Sequence, residues 1–405
     1  MILMPRSFDR KRKMNEIDYL TGDKDIMNNM SGIGSWVPFD KRIIEFCGRL
    51  SEGLISRNET KKYPDLLTLA FWLRKSNIKK LRDGSKELTG SIGRGLSFHI
   101  APGNIALSFA YSLMTGLLTG NTNIVRMPSR QFEQADIFCE VLNTILTGEP
   151  EIGKRICLIR YGHNKEITDM LSSMCHVRII WGGDDTVNSI RKSQIPPRAS
   201  EITFSNRFSV CLINSDIYLE EYDFAKTAHD FYLDTYLTDQ NACSSPRIIL
   251  WQGYRIKEAR DKFWESLYAE LDVYELADVT TVNKLLTFCK YAAENKCRMS
   301  VVHDNKIMRI EIDSLDESLP DHIGNSGFFY EYEISNINEV LKICRWDLQT
   351  LSYIGYNGKE LKDFVMRNSP FGVDRIVPVG HTLDFSLIWD GRDIVREMTR
   401  YISYE

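Results

Sequence analysis

The sequence is short of the features that usually classify a chain at sight. Its 405 residues carry nine cysteines, an odd number with no C-x-x-C pair. That excludes a disulfide framework and the usual zinc-ligand spacings, so no metal site is expected, and it suits a reducing cytoplasmic setting. No apolar run approaches the ~20 residues needed to cross a bilayer. The most apolar window, from Ile105 to Leu118, is interrupted by Ser and Thr and reads as a buried helix. Lys and Arg number 51 against 55 Asp and Glu, for a net charge of −4. A chain so balanced has no general basic field for nucleic acid, and small molecules are the expected ligands. There is no G-x-G-x-x-G, internal repeat or low-complexity tract. The basic start, Met1 to Lys13, lacks the apolar core and cleavage site of a signal peptide, so secretion is not expected.

The hydrophobic pattern that is present is that of an α/β protein. Residues up to about 90 read as helical and polar, with Leu66, Leu67, Ala70, Trp72 and Leu73 on one apolar face of a helix from Pro64 to Leu73. From Gly95 onward short apolar runs alternate with helical periods: strands at 96–100, 123–127, 155–160 and 177–181, and helices after Pro102-Gly103-Asn104, at Pro128-Ser129-Arg130 and at Asp184. Strand and helix repeated at this spacing predict a Rossmann-type parallel sheet. The apolar run Phe208 to Ile213 is read as closing that region. A helix at 224–235, a strand at 247–251 and a helix at 256–271 then form a second α/β domain. The expected organisation is a nucleotide-binding domain over 1–212, a catalytic domain over 213–380 and a C-terminal segment over 381–405.

Four stretches carry candidate chemistry. Asp239-Gln240-Asn241-Ala242-Cys243-Ser244-Ser245-Pro246-Arg247 is a polar loop between buried segments, with one thiol that could act as a nucleophile if ionised; a buried free cysteine is the plain alternative. In Pro102-Gly103-Asn104 the Asn104 amide could donate to a developing oxyanion, or the stretch is an ordinary turn with a helix cap. Arg126, Ser129 and Arg130 follow a strand at the edge where doubly wound sheets bind ligands, and could hold a ribose or its 2′-phosphate. Gly182 and Gly183 allow close approach of a cofactor phosphate, although Asp184 and Asp185 would repel it.

The order and spacing of these stretches resemble the aldehyde dehydrogenase superfamily, and within it the LuxC-type acyl-CoA reductases. The similar runs are 98–104, 118–126, 181–184 and the Cys243 loop, with Gly372-Val373-Asp374-Arg375-Ile376-Val377-Pro378-Val379-Gly380, Leu383-Asp384-Phe385-Ser386 and Trp389-Asp390-Gly391 near the end. The resemblance spans residues from about 60 to the C-terminus. It implies an aldehyde dehydrogenase-like fold, with a Rossmann-type cofactor domain and an α/β catalytic domain. Cys243 is then the acylated nucleophile and Asn104 the oxyanion donor. Arg126 stands where the superfamily has a cofactor-binding lysine, which implies NADPH.

Two departures from the superfamily pattern bear on the reaction. Where oxidising dehydrogenases place the glutamate that activates water, this chain has Thr203, with Glu201 two positions away as a displaced candidate. A hydroxyl has no useful pKa for that task, so an acyl-enzyme should resist hydrolysis. The second superfamily cofactor motif is not visible, and Leu348-Gln349-Thr350-Leu351 lies in its region. The implied reaction is reduction of a long-chain acyl-CoA or acyl-protein thioester to the aldehyde, with His229 or His381 as candidate general acids. The branch also implies a homo-oligomer and association with an acyl-activating enzyme. A CoA-dependent aldehyde dehydrogenase, an acyl-phosphate reductase and a non-reducing acyl carrier remain open alternatives.

Overall fold

The computed structural model describes residues 17–85, 88, 90–301 and 304–404; the basic Met1 to Lys13 run lies outside the described residues. The chain forms two compact units, one of residues 1–205 with 392–405 and one of residues 206–391.

The first unit is built on a six-stranded sheet. In chain order its strands are β1 (Asp18–Thr21), β3 (Leu96–Ile100), β4 (Thr122–Arg126), β5 (Ile156–Arg160), β6 (Val177–Trp181) and β7 (Ser200–Phe204), arranged β1-β5-β4-β3-β6-β7. A short strand, β2 (Ser91–Gly93), pairs instead with Thr399–Tyr401. All pairs from β5 to β7 are parallel, and only β1 runs antiparallel at the edge. Every residue of β3 is buried, as expected of a strand covered on both faces.

The burial of β3 includes one histidine. His99 is fully enclosed, with Nδ1 2.7 Å from Ser112 Oγ and Nε2 3.0 Å from Asn123 Oδ1. The Asn123 amide nitrogen donates to the Asn121 carbonyl, so Oδ1 is the acceptor facing the ring and Nε2 carries the proton. Nδ1 then accepts from the Ser112 hydroxyl, which accepts from Trp181 Nε1 at 3.0 Å. The chain of bonds ties together β3, β4, β6 and the helix Ser108–Leu118.

Burial pulls the His99 pKa down from 6.5 to about 4. The unfolded chain therefore binds a proton that the folded chain refuses. Stabilisation by the neutral ring is complete above pH 6.5 and is lost as pH falls toward 4, by about 3 kcal/mol. Amide protection of β3 and β6 should drop across that window, and a His99→Gln variant should flatten the dependence. Protection that does not change with pH in the wild type would contradict the account.

The second unit carries a seven-stranded sheet in the order β10-β11-β12-β9-β8-β13-β14. The strands are β8 (Phe208–Asn214), β9 (Pro246–Gln252), β10 (Cys297–Val301), β11 (Met308–Ile312), β12 (Phe328–Glu333), β13 (Leu348–Ile354) and β14 (Arg375–Pro378). All pairs are parallel except β10 with β11. Alternate residues of β8 feed two cores, Phe208, Val210 and Leu212 on one face and Cys211 and Ile213 on the other.

Three local expectations are corrected. The run Phe208 to Ile213 does not close the first sheet but stands inside the second, between β9 and β13; a strand buried on both faces reads the same whichever sheet holds it. Asp18–Thr21, in the stretch read as helical, is an edge strand that pairs with β5. Pro128-Ser129-Arg130 is a loop, and the following helix begins at Glu133.

Candidate active site

The thiol loop hangs between the helix Phe224–Thr235 and β9, and almost every residue of its motif has a structural task. Asp239 and Gln240 both take left-handed backbone angles, φ 51° and 57°. Such angles cost about 1–2 kcal/mol for a residue other than glycine, so something must hold them. The fully buried Gln240 side chain does so, donating to the carbonyls of Pro246 (2.9 Å) and Phe328 (3.1 Å) and accepting from the N–H groups of Gly327 and Phe328. It acts as an inserted peptide group joining the loop to the start of β12. Asp239 accepts from Tyr274 Oη at 2.9 Å, Asn241 from Asn325 Nδ2 at 2.8 Å, and Ser245 Oγ donates to the Asp234 carbonyl at 2.6 Å.

Arg247 is the centre of the loop. Its buried guanidinium donates to the carbonyls of Gln240, Ala242, Ser245 and Gly324. Five N–H groups in a rigid fork suit that task. Burial lowers its pKa to about 10, so it stays charged at neutrality beside the thiol.

Cys243 itself is half-buried and anchored by its backbone, whose carbonyl accepts from Ser209 Oγ at 2.7 Å. It precedes β9, and the residues around it precede or open the neighbouring parallel strands: Arg207 before β8, Gln349 second in β13 and Asp374 before β14. Gln349 Nε2 lies 3.8 Å from Sγ and also donates to Asp390. Arg207 forms an ion pair with Asp374 and donates to the Trp346 carbonyl at 3.2 Å. Burial first, and then the Asp390 charge, push the thiol up to about 11, while Arg247, the residue's own N–H and Arg207 pull the other way. At rest the group is a thiol.

Arg207, Gln349 and Asp390 were not singled out as site residues on sequence alone. The available signal is a polar residue beside an apolar run, as in Arg207-Phe208 and Leu348-Gln349, which marks the mouth of a buried strand. The candidate acids are surface groups: His229 Nδ1 is 3.0 Å from Glu270 and His381 Nδ1 is 2.7 Å from Asp384.

In the first unit the candidate cofactor residues gather at the C-terminal edge of the sheet. The chain passes from β3 to β4 and β5 on one side and then crosses to β6 and β7 on the other, so the connections after β3 and β6 diverge and open a crevice. Asn104 lies in the connection after β3, four residues ahead of the helix Ser108–Leu118, so it is a loop residue and not that helix's cap. Gly182 and Gly183 follow β6, and Gly183 opens the helix Asp184–Arg191 with no side chain capping it. Arg126 ends β4, its guanidinium 4.5 Å over the Tyr161 ring and bonded to the Gly162 carbonyl at 3.2 Å. Ser129 and Arg130 are exposed just beyond it.

Glu201 is fully committed elsewhere. One carboxylate oxygen pairs with Arg178 and the other with Arg191, at 2.8 and 2.7 Å. Thr203 sits two residues on, half-buried in β7. Among the described residues no cluster of three or more His, Cys, Asp or Glu could hold a metal ion, and no helix is long and apolar enough to cross a membrane. Two cavities of about 570 and 460 Å³ lie at Glu360–Arg367 and at Val37–Phe39 with Arg82, and none of these residues lines them.

The sequence profile described as acyl-CoA reductase (LuxC) matches residues 74–401. Long-chain acyl-protein thioester reductases from Photorhabdus luminescens and Vibrio harveyi are 24% and 26% identical to the chain, in each case over 77% of it and 64% of the relative. The chain thus spans under two thirds of those relatives. Among solved structures, lactaldehyde dehydrogenase from Escherichia coli superposes with a TM-score of 0.61 at 12% identity, over 93% of this chain and 88% of that one. A mutant of proline utilization A from Bradyrhizobium japonicum gives 0.63 at 15% identity, over 93% and 43%. The fold is that of the aldehyde dehydrogenases, and the chain belongs to the LuxC family of acyl-CoA reductases.

Proposed function

We propose that the protein reduces a fatty acyl thioester, carried by CoA or by a protein, to the aldehyde through an acyl group held on Cys243, with NADPH as reductant. The observation that carries this reading is the Cys243 loop: two left-handed residues, an inserted glutamine and a buried arginine hold one thiol at the mouth of a parallel sheet. A core cysteine would need none of that.

The Cys243 thiolate attacks the thioester carbon. Its own N–H and the nearby guanidinium charges favour the anion, and a donor to the oxyanion, assigned by resemblance to Asn104, contributes about 3 kcal/mol. The C–S bond to the leaving thiolate breaks and the acyl group stays on Cys243. Glu201 is neutralised by two arginines and Thr203 cannot act as base, so water is not activated and the acyl-cysteine persists. A bound nicotinamide, held by Arg126 and the loops after β3 and β6, would supply the hydride that reduces the acyl carbon. The C–S bond of the resulting thiohemiacetal then breaks as its hydroxyl proton passes to sulfur, leaving the aldehyde and the Cys243 thiol.

The residues of the first unit fit a phosphorylated cofactor. In dinucleotide folds the end of the strand beside the first carries an acid for the ribose of NAD, or a cation for the 2′-phosphate of NADP. Here that end carries Arg126, already oriented by Tyr161 and Gly162, and no acid lies between it and Glu133. Substituting Arg126→Ala should raise KM for NADPH by about tenfold, the value of one charged hydrogen bond, and leave NADH little changed. An equal rise for both cofactors would remove Arg126 from that role.

The reaction is tested by following NADPH absorbance with acyl-CoAs of graded length, acyl phosphate, and aldehyde plus CoA, with the aldehyde trapped and identified. Turnover with acyl-CoA and matched aldehyde is expected. Turnover with acyl phosphate alone, or acylation without NADPH loss, would replace the reading by a phosphate-ester reductase or an acyl carrier.

A further inference from the structure

The loop that carries Asp390 is built to a fixed position. Arg375 donates to the carbonyls of Thr382 (2.6 Å), His381 (2.9 Å) and Asp384 (2.7 Å), and its guanidinium lies 5.0 Å over the Trp389 ring, which stacks on Phe385 at 5.3 Å. Farther back, the buried Asp234 carboxylate accepts from the N–H groups of Gly380 and Thr382, at 2.7 and 3.0 Å. Asp390 and Gly391 are both left-handed, φ 51° and 70°. A Cβ on Gly391 would fall 2.7 Å from Asp374 Oδ1, so only glycine fits there. This scaffold delivers one carboxylate to the amide nitrogen of Gln349, the same nitrogen that faces Sγ.

We propose that Gln349 and Asp390 are positioning residues that hold Cys243 in the thiol form at rest, so that formation of the thiolate is coupled to breaking the Gln349–Asp390 bond. While the amide is bonded to the carboxylate, a negative charge sits beside the sulfur, and the amide's second N–H reaches Sγ only at 3.8 Å. Once that bond is broken, the amide is released from the carboxylate and can close on the sulfur, giving the thiolate a nearer donor against the fixed charge. The other charged groups around the sulfur are fixed by their own partners: Arg247 by four carbonyls, and Arg207 by Asp374. Arg375 faces Asp390 itself, with its donors spent on the loop carbonyls. The Gln349 side chain, which bonds both the carboxylate and the sulfur, is therefore the adjustable element of the site. This deepens the reading of Cys243 as nucleophile, but it concerns the ionisation of the thiol and can be tested without any acyl transfer.

The test is the pH profile of alkylation by iodoacetamide on the full-length protein, read on the peptide that holds Cys243 because Cys289 is exposed and Cys297 half-buried. Asp390→Asn keeps an oxygen for Gln349 and removes the charge. It should alkylate about tenfold faster at pH 8, equivalent to one unit in thiol pKa. Gln349→Glu adds a second charge beside sulfur and should be slowed by about the same factor, and Asp390→Glu should restore the wild-type profile. A purely structural role would not move the two profiles in opposite directions. A folded Asp390→Asn protein whose profile overlays the wild type overturns the proposal. Where that variant does not fold, Gln349→Glu decides, and an unchanged or faster reaction overturns it.

Discussion

Replacing Cys243 by alanine is expected to abolish turnover, by roughly 10⁴-fold or more, while leaving the protein folded. The loss follows from the chemistry: without the thiol no acyl-enzyme forms, and nothing else in the loop can accept an acyl group. The preserved fold follows from how the loop is held. Gln240, Arg247, Ser245 and the Cys243 carbonyl carry its bonds, and the sulfur carries only a long contact to Gln349. Unfolding by urea should shift by no more than about 1 kcal/mol. Serine at the same position should be nearly as inactive, because its hydroxyl ionises far above the thiol. Activity retained in Cys243→Ala would assign the chemistry to another residue.

The largest effect on stability is expected at Arg247. Changing it to methionine keeps the bulk and leaves the carbonyls of Gln240, Ser245 and Gly324 without their donor, while Ala242 keeps the Ser245 N–H. Stranded polar groups of that kind cost about 1–3 kcal/mol each, and the loop will relax to recover some of them, so a net loss of about 3–5 kcal/mol is expected. Lysine should rescue little, since one ammonium cannot span four carbonyls spread over the loop. The variant should also alkylate Cys243 with altered rate, because the nearest buried cation is gone. A loss under 1 kcal/mol in urea unfolding would show that the guanidinium is not what holds the loop.

Much of the first sheet is legible in the sequence because parallel strands covered on both faces announce themselves as short apolar runs, as at Leu96–Ile100 and Val177–Trp181. The Cys243 loop is legible because a polar motif between two buried segments needs an explanation. The sequence is silent where the information is relational. Phe208–Ile213 gives no sign of which sheet it joins, since that depends on pairing with β9 and β13. Asp18–Thr21 is four residues long, with only one of them buried, and too weak in alternation to stand out. Gln349 and Asp390 lie 41 residues apart in sequence and meet through one hydrogen bond, which no local pattern foretells. Glu201 looked like a spare acid in sequence because its partners Arg178 and Arg191 come from the strand beside it and a helix end.

The central claim, that an acyl group is carried on Cys243, is most directly tested by intact-protein mass spectrometry after mixing with a long-chain acyl-CoA in the absence of NADPH. The account predicts a gain of one acyl mass, mapped to the Cys243 peptide, stable to water over the assay and discharged as aldehyde when NADPH is added. Acyl mass on another cysteine, or none on well-folded protein that nevertheless consumes NADPH, would contradict it.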